Sequence, residues 1–390
     1  MSRTSLSAIP PYVFYELDAR RAAARATGQP LLDVGIGSPD GPIPPVVVET
    51  MQRVAADRSL SGYPYFQGHP LFREAVAGYL HTRFGVTIDP AGELLALAGS
   101  KEGIAELILA HTNPGDVVLI PAVYYPVYAR ATLLAGAKPV YVPFLPDGCL
   151  DLDALDAATV ARATVMIVNY PGNPTTTSVS LDELARYVAF AERHGLLLLS
   201  DLAYSELSYD GYAVPSVLQV PGASRVAVET HTCSKSFNMA GVRIAFLAGN
   251  REAIARLDAY RANIGYGVST LAQLAGAAAF THHAQIVPPI VAEYRARRDA
   301  IVTAFTAGGW HVPAPTATMY LWLDVPPGLS DWQWVDALIE HAGVVVTPGM
   351  AFGDAGRGKF RVSFVQPAEQ LVRAAEGIVA TAAWSTAQRR

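Results

Sequence analysis

Lys235 stands between two serines in "HTCSKSFNMAGVRIAF", residues 231–246, and Arg243 follows it eight residues later. Nearly everything else in the stretch is small or apolar, whereas a lysine on a solvated helical face has charged and polar company. An ammonium in such dry surroundings needs either a partner or a chemical reason to lose its proton.

Comparable residues follow other apolar runs. Ser100-Lys101-Glu102-Gly103 comes after "ELLALAG" and opens a helical pattern, where unpaired N–H groups and the helix dipole favour a phosphate. "VYYPVY" after "DVVLIPA" offers aromatic faces, and "VMIVNYPGNPTTT" supplies Asn169 and Asn173 as neutral hydrogen-bonding groups. "LLLLSDLAYSEL" ends its run on Asp201, with Tyr204 three residues on, and "VAVETHTCSK" ends on Thr232, Ser234 and Lys235. Arg243 can grip a phosphate bidentately. Phosphate binders, a stacking ring, a buried acid, a phenol and a lysine together suit pyridoxal 5'-phosphate: a lysine amine makes a Schiff base with its aldehyde, and an aspartate keeps its pyridine nitrogen protonated.

These groups need strands to carry them. Seven short apolar runs, "ELLALAG", "DVVLIPA", "KPVYVPF", "ATVMIVNYP", "GLLLLSD", "SRVAVETHT" and "VRIAFLAG", alternate with segments of three- and four-residue apolar spacing. The pattern predicts an α/β fold, a mostly parallel sheet covered by helices, with its ligand site beyond the strands' carboxyl ends. After about residue 280 a charged helical stretch leads into "TMYLWLDV", "GVVVTPG" and "KFRVSFV". This predicts a large domain over 46–282, a smaller α+β domain over 283–390, and an N-terminal segment, 1–45, packed beside the smaller one.

The order "SGYPYFQG", "GSKEG", "PAVYYPVY", "NYPGNPTT", "SDLAYSEL", "SKSFNMAGVRIAF" and "FRVSF" resembles the class I/II aminotransferases of fold type I. "PPYVFYELDARR", "DVGIGSPD" and "YDGYAVPSVLQVPGA" are similar to the LL-diaminopimelate aminotransferase branch, and the likeness spans nearly the whole chain. The resemblance implies a homodimer with shared active sites. Lys235 would then hold the cofactor and act as general base and acid, Asp201 would hold its pyridine N–H, and Tyr204 with Asn173 its ring oxygen. Tyr125 would stack on the ring; Ser100, Lys101, Thr232, Arg243 and the partner's Tyr63 would bind the phosphate. Arg361 would clamp the substrate α-carboxylate, assisted by the Gly37 backbone, with Tyr12 and the partner's Asn263 on the substrate side. The chain departs from that branch at Thr232, where a serine is usual, and at Gly265-Tyr266 in "ANIGYGVST", where an Asp-Ser pair is usual.

The implied reaction moves an amino group from an amino acid to a 2-oxo acid. The altered "ANIGYGVST" keeps open an alternative in which the same cofactor serves β- or γ-elimination, replacement or carbon–carbon bond formation. Structural alternatives also stand: Asp201 as a helix N-cap, Arg361 as a salt-bridged core residue, Tyr124 or Tyr128 in place of Tyr125, and Tyr65 in place of Tyr63.

The net charge of −5 argues against nucleic-acid and anionic-membrane partners and for a small-molecule substrate. Two cysteines, Cys149 and Cys233, fit no disulfide framework, and no apolar run approaches the ~18–20 residues of a membrane span. Both point to the cytoplasm. "GDAGRGKF" lacks the Ser or Thr that a magnesium–phosphate loop needs, and His282-His283 lacks one-face spacing, so no metal site is expected.

Overall fold

The computed structural model describes residues 9–387. Seven strands form one sheet in the order Leu94–Leu97, Ala245–Gly249, Ala227–Thr232, Leu197–Asp201, Ala163–Val168, Val117–Pro121 and Lys138–Val142. Each lies in one of the seven apolar runs. Only Ala245–Gly249 runs against its neighbours, so the fold is the expected α/β type with a mostly parallel sheet.

Parallel strands are covered on both faces, which is why these runs are apolar at every position rather than at alternate ones. Val165, Ile167 and Leu199 pack on Ile104, Leu107, Tyr128 and Leu257 of one helical layer. Their neighbours Met166, Val168 and Leu198 pack on Leu184, Tyr187 and Ala191 of the helix Leu181–His194 on the opposite face. That helix starts where Ser180 accepts the Glu183 N–H and stops at Gly195, whose φ of 65° is the left-handed conformation of a helix end. Along the antiparallel edge, Phe246 stacks on the buried His231 ring at 4.6 Å and meets Phe280 of the helix Thr270–Thr281.

A second sheet joins Thr347–Pro348, Lys359–Ser363 and Tyr320–Asp324, all antiparallel. Leu17, Trp334, Phe360, Phe364 and Ile378 share its core. The run "GVVVTPG" is not the single strand its apolarity suggests. Val344–Val345 pairs in parallel with Leu32–Asp33, and Thr347–Pro348 turns to a different partner, the Lys359–Ser363 strand. Two sheets share these few residues, and Thr347 marks the crossing by donating its hydroxyl to the Gly35 carbonyl at 2.7 Å. Just before the run, Gly343 ends a helix with φ 63°, and a Cβ there would lie 2.6 Å from the Pro30 carbonyl. Only glycine meets both demands.

The helix His283–Ala307 links the two regions. Ile286 belongs to the core under the large sheet, whereas Tyr294, Ile301 and Phe305 belong to the core of the small one. Pro288 and Pro289 lie inside the helix, between those two memberships. Among the described residues no helix is long and apolar enough to cross a membrane.

Replacing Phe246 by alanine removes a buried ring that closes the edge of the large sheet over His231. The expected loss of stability is about 3–5 kcal/mol, read from denaturant unfolding. A change below about 1 kcal/mol would show that the edge tolerates the cavity.

Candidate active site

One cleft of about 450 Å³ opens at the carboxyl ends of the large sheet's strands, against the second sheet. Tyr12, Gly37, Ser100, Lys101, Tyr125, Asn173, Asp201, Tyr204, Thr232, Lys235, Arg243 and Arg361 all line it. Of the residues singled out from the sequence, Tyr63 and Asn263 do not. Tyr63 is 82% exposed and stacks on Tyr266 at 4.4 Å, and Asn263 is exposed on the same outer surface.

Asp201 is the last residue of its strand and is buried. No helix follows it, so it caps none. Its carboxylate accepts the Tyr128 hydroxyl at 2.7 Å and the Thr230 hydroxyl at 3.3 Å. Burial pushes its pKa up to about 6, although these two hydrogen bonds and His231 pull the other way. Tyr128 was legible only as a rival to Tyr125. Standing three residues on, at the start of the helix Val127–Leu134, it is fully buried while Tyr125 faces the cleft. Thr230 was not legible as a partner at all, because its place beside Asp201 comes from the strand register.

A line of hydrogen bonds continues from this acid. Asn169 donates to the Asp201 carbonyl at 2.8 Å and accepts from the Asn173 N–H at 2.8 Å. The Asn173 side-chain oxygen accepts from Arg361 Nη1 at 2.7 Å, and Arg361 Nη2 donates to the Gly35 carbonyl at 2.8 Å. Arg361 is buried, with its guanidinium carbon 4.1 Å from the Tyr320 ring centre and 4.8 Å from that of Phe352. Its Nε is buried and has no acceptor among the described residues. Arg361 is therefore held by rings and neutral oxygens rather than by a salt bridge, which leaves its charge available to an anion.

Lys235 follows the strand Ala227–Thr232 in the short helix Cys233–Ser236, and Thr232 caps that helix by accepting the Ser234 N–H at 3.1 Å. Its ammonium is covered except toward the cleft, where it donates to the Gly37 carbonyl. Burial lowers its pKa, Arg361 and Arg243 push it the same way, and Tyr320 opposes them. Arg243, with φ 62°, approaches Gly99 so closely that a Cβ on the glycine would lie 2.2 Å from its Nη2. Gly99 precedes the helix Ser100–His111, so the arginine lies against that helix's N-terminus, where N–H groups lack partners. The Lys101 side chain turns to the Tyr12 hydroxyl at 3.4 Å. Cys233 is fully buried and burial raises its thiol, which fits a small core residue rather than a nucleophile.

The cleft thus holds a base-capable amine, a buried acid, an anion cradle and a carboxylate clamp. The sequence profile of the aminotransferase class I and II family matches residues 29–378. The chain is a class I/II aminotransferase. It lies in the LL-diaminopimelate branch: it is 42% identical over 370 residues to the LL-diaminopimelate aminotransferase of Gloeobacter violaceus, covering 94% of each chain. It is 39% identical over 379 residues to that of Aquifex aeolicus, covering 96% of this chain and 97% of that one. Among solved structures, apo-BacF from Bacillus subtilis aligns with a TM-score of 0.92 at 32% identity over 95% of each chain. A single mutant of Thermus thermophilus aspartate aminotransferase aligns at 0.90 and 28% identity, covering 98% and 99%. Like its family, the aminotransferase is a pyridoxal-phosphate-dependent transferase that moves an amino group from an amino acid to a 2-oxo acid.

Asp201 carries a stability consequence. In the unfolded chain an aspartate titrates near ~3.9, against about 6 here. Between those values the folded aminotransferase binds more protons than the unfolded chain, so this group's contribution to stability falls as pH rises from about 4 to about 6 and stays low above that. Asp201→Asn removes the loss. Without cofactor at pH 7.5, the variant is expected to be more stable than the parent by on the order of 2–3 kcal/mol, a difference that shrinks toward pH 4. Melting curves at both pH values check this, and equal melting at pH 7.5 would sink it.

Proposed function

We propose that the chain carries pyridoxal phosphate on Lys235 and takes LL-diaminopimelate as amino donor, working as a homodimer in the cytoplasm. The observation that carries the cofactor assignment is that Lys235, Asp201, Arg243 and Arg361 all open on one cleft.

The residues fit this cofactor. Asp201 is a buried carboxylate whose raised pKa reflects burial, and a protonated pyridine nitrogen against it would restore its charge. The absence of a Cβ at Gly99 leaves room for Arg243 beside the N-terminus of the helix Ser100–His111, a position suited to a phosphate dianion. Asn173 uses its side-chain oxygen on Arg361, which leaves its amide N–H₂ for the ring oxygen, with Tyr204 alongside. Tyr125 offers a ring face for stacking, while Ser100, Lys101, Thr232 and Arg243 hold the phosphate.

Bound there, pyridoxal phosphate supplies an aldehyde that condenses with amines and a ring that takes up the electron pair left when the α C–H bond breaks. The chain's own groups do the rest. Asp201 holds a proton on the ring nitrogen and so keeps that ring electron-withdrawing. Arg361 grips the α-carboxylate, fixed in advance by Asn173, Gly35 and two aromatic faces, so that little ordering remains when substrate arrives. Lys235 Nζ accepts the α-proton as a neutral amine and returns it on the cofactor side. Burial and the charges of Arg361 and Arg243 favour that neutral form. Gly37, which carries the carbonyl facing Lys235, and Tyr12 close the substrate side.

Dimer formation is supported by the exposed residues outside the cleft. Tyr63, Tyr266 and Phe66 stack on one another in the open, and Ile264 is 60% exposed beside them. Apolar surface of this kind marks a contact with another protein. Tyr63 and Asn263 then serve the neighbouring subunit's cleft. The two cysteines are free and buried, in keeping with a reducing compartment. The chain divides into 1–45, 46–282 and 283–390, with Lys235 and Asp201 on the large domain and Arg361 on the small one. LL-diaminopimelate as donor follows from the named relatives.

Purified with cofactor, the protein is expected to absorb visible light; borohydride should fix the label on Lys235, and Lys235→Ala should lack it and lose at least about 100-fold in turnover. LL-diaminopimelate added without an oxo acid should convert the cofactor stoichiometrically to its amine form. A colourless protein under excess cofactor would end the cofactor assignment. Full conversion by glutamate, alanine or an aromatic amino acid with none by LL-diaminopimelate would end the donor assignment.

A further inference from the structure

Tyr320 belongs to no motif named above, yet the two walls of the cleft meet on it. It opens the strand Tyr320–Asp324 and is almost wholly buried. Its hydroxyl accepts the Tyr204 hydroxyl at 2.9 Å, its ring face lies under the Arg361 guanidinium at 4.1 Å, and a Cβ at Gly37 would come within 2.0 Å of its oxygen. Gly37 in turn accepts from Lys235 Nζ. The oxygen is thus set between a phenol of the large-sheet side, the loop that meets Lys235, and the arginine of the small sheet. Arg361 above the ring and Gly37 against its edge leave it one orientation.

We propose that Tyr320 is a positioning residue for amino transfer: its hydroxyl oxygen takes the Tyr204 proton and biases the Lys235 nitrogen toward its protonated form. This rests on Lys235 being the lysine that carries the cofactor. Burial alone would raise the Tyr320 phenol, but Arg361 and Lys235 outweigh it and pull Tyr320 below its ordinary value. Tyr204 moves the opposite way, raised by burial first and by Tyr320 next. The proton between the two oxygens therefore belongs to Tyr204, and Tyr320 presents the electron-rich end. Around Tyr320 the other titratable groups are Tyr125 and Tyr294, both raised by burial and so neutral at working pH.

The effect on Lys235 is an opposition of forces. Burial, Arg361 and Arg243 drive the nitrogen toward neutrality, and Tyr320 is the group that opposes them. A nitrogen that must both take a proton and return it works best when neither form dominates. Tyr320 also keeps Tyr204 occupied as a donor, so that Tyr204 does not compete with the Lys235 nitrogen for the cofactor's ring oxygen. Loss of the Tyr320 oxygen pushes the Lys235 nitrogen the same way through both routes, toward release of its proton at lower pH.

Tyr320→Phe keeps the ring under Arg361 and removes only that oxygen. In protein loaded with pyridoxal phosphate, the midpoint of the visible absorbance against pH is expected to fall by about half a unit or more relative to the parent. In cofactor-free protein, the pH profile for labelling Lys235 with trinitrobenzenesulfonate, read by peptide mapping, is expected to move to lower pH as well. Unchanged midpoints, or a shift upward, overturn the proposal. A parent protein with no visible absorbance under excess cofactor would fault the cofactor assignment instead, and the labelling profile would then decide the role of Tyr320.

Discussion

A carboxylate set at the end of a strand in the middle of a hydrophobic sheet is the constraint from which the rest of the site follows. Asp201 sits directly after Leu198, Leu199 and Ser200, all buried, and desolvation holds its pKa up at about 6. Such a group is unfavourable where it stands unless its neighbours are polar and fixed. Tyr128 and Thr230 supply the fixed partners, and Asn169 ties down the backbone. From Asn169 the same bonded line runs through Asn173 and Arg361 to the Gly35 carbonyl, so the acid on one sheet and the guanidinium on the other are spaced by a continuous rigid path. Preorganisation of this kind is what lets charges act in a reaction without first being arranged.

The positive groups answer that acid unequally. Arg361 is buried between two rings and bonded to neutral oxygens. Arg243 is an exposed guanidinium at a helix start, and Lys235 is left with a lowered pKa at the cleft wall. Two of these cations stay charged at any working pH, and their fields help the third to be neutral. One cleft thereby contains permanent anion holders and a proton carrier without needing separate compartments for them.

The sheet was readable because parallel strands covered on both faces must be apolar at every position, and each of the seven runs became a strand. What followed those runs was readable too, because the carboxyl ends of such strands converge: Ser100, Tyr125, Asn173, Asp201, Lys235 and Arg243 came together as their positions suggested. The misses share a cause. Thr230 and Tyr320 matter through register and through approach of the second sheet, neither of which leaves a local pattern. The run "GVVVTPG" looked like one strand because apolarity reports burial and not the partner. Tyr63 and Asn263 stand outside the cleft of their own chain, so no single chain could bring them to it.

The proline pair in the long helix has a mechanical consequence. Pro288 and Pro289 withhold two N–H groups from the helical ladder where His283–Ala307 leaves one core and enters the other. The helix is therefore most compliant in bending at that point and stiff on either side, where it is locked into packed side chains. Because Lys235 moves with the first core and Arg361 with the second, a few degrees of flexure there are magnified along the lever into a change in the gap between amine and guanidinium. The reach of the carboxylate clamp is thus governed by the elasticity of one turn of helix well away from the cleft.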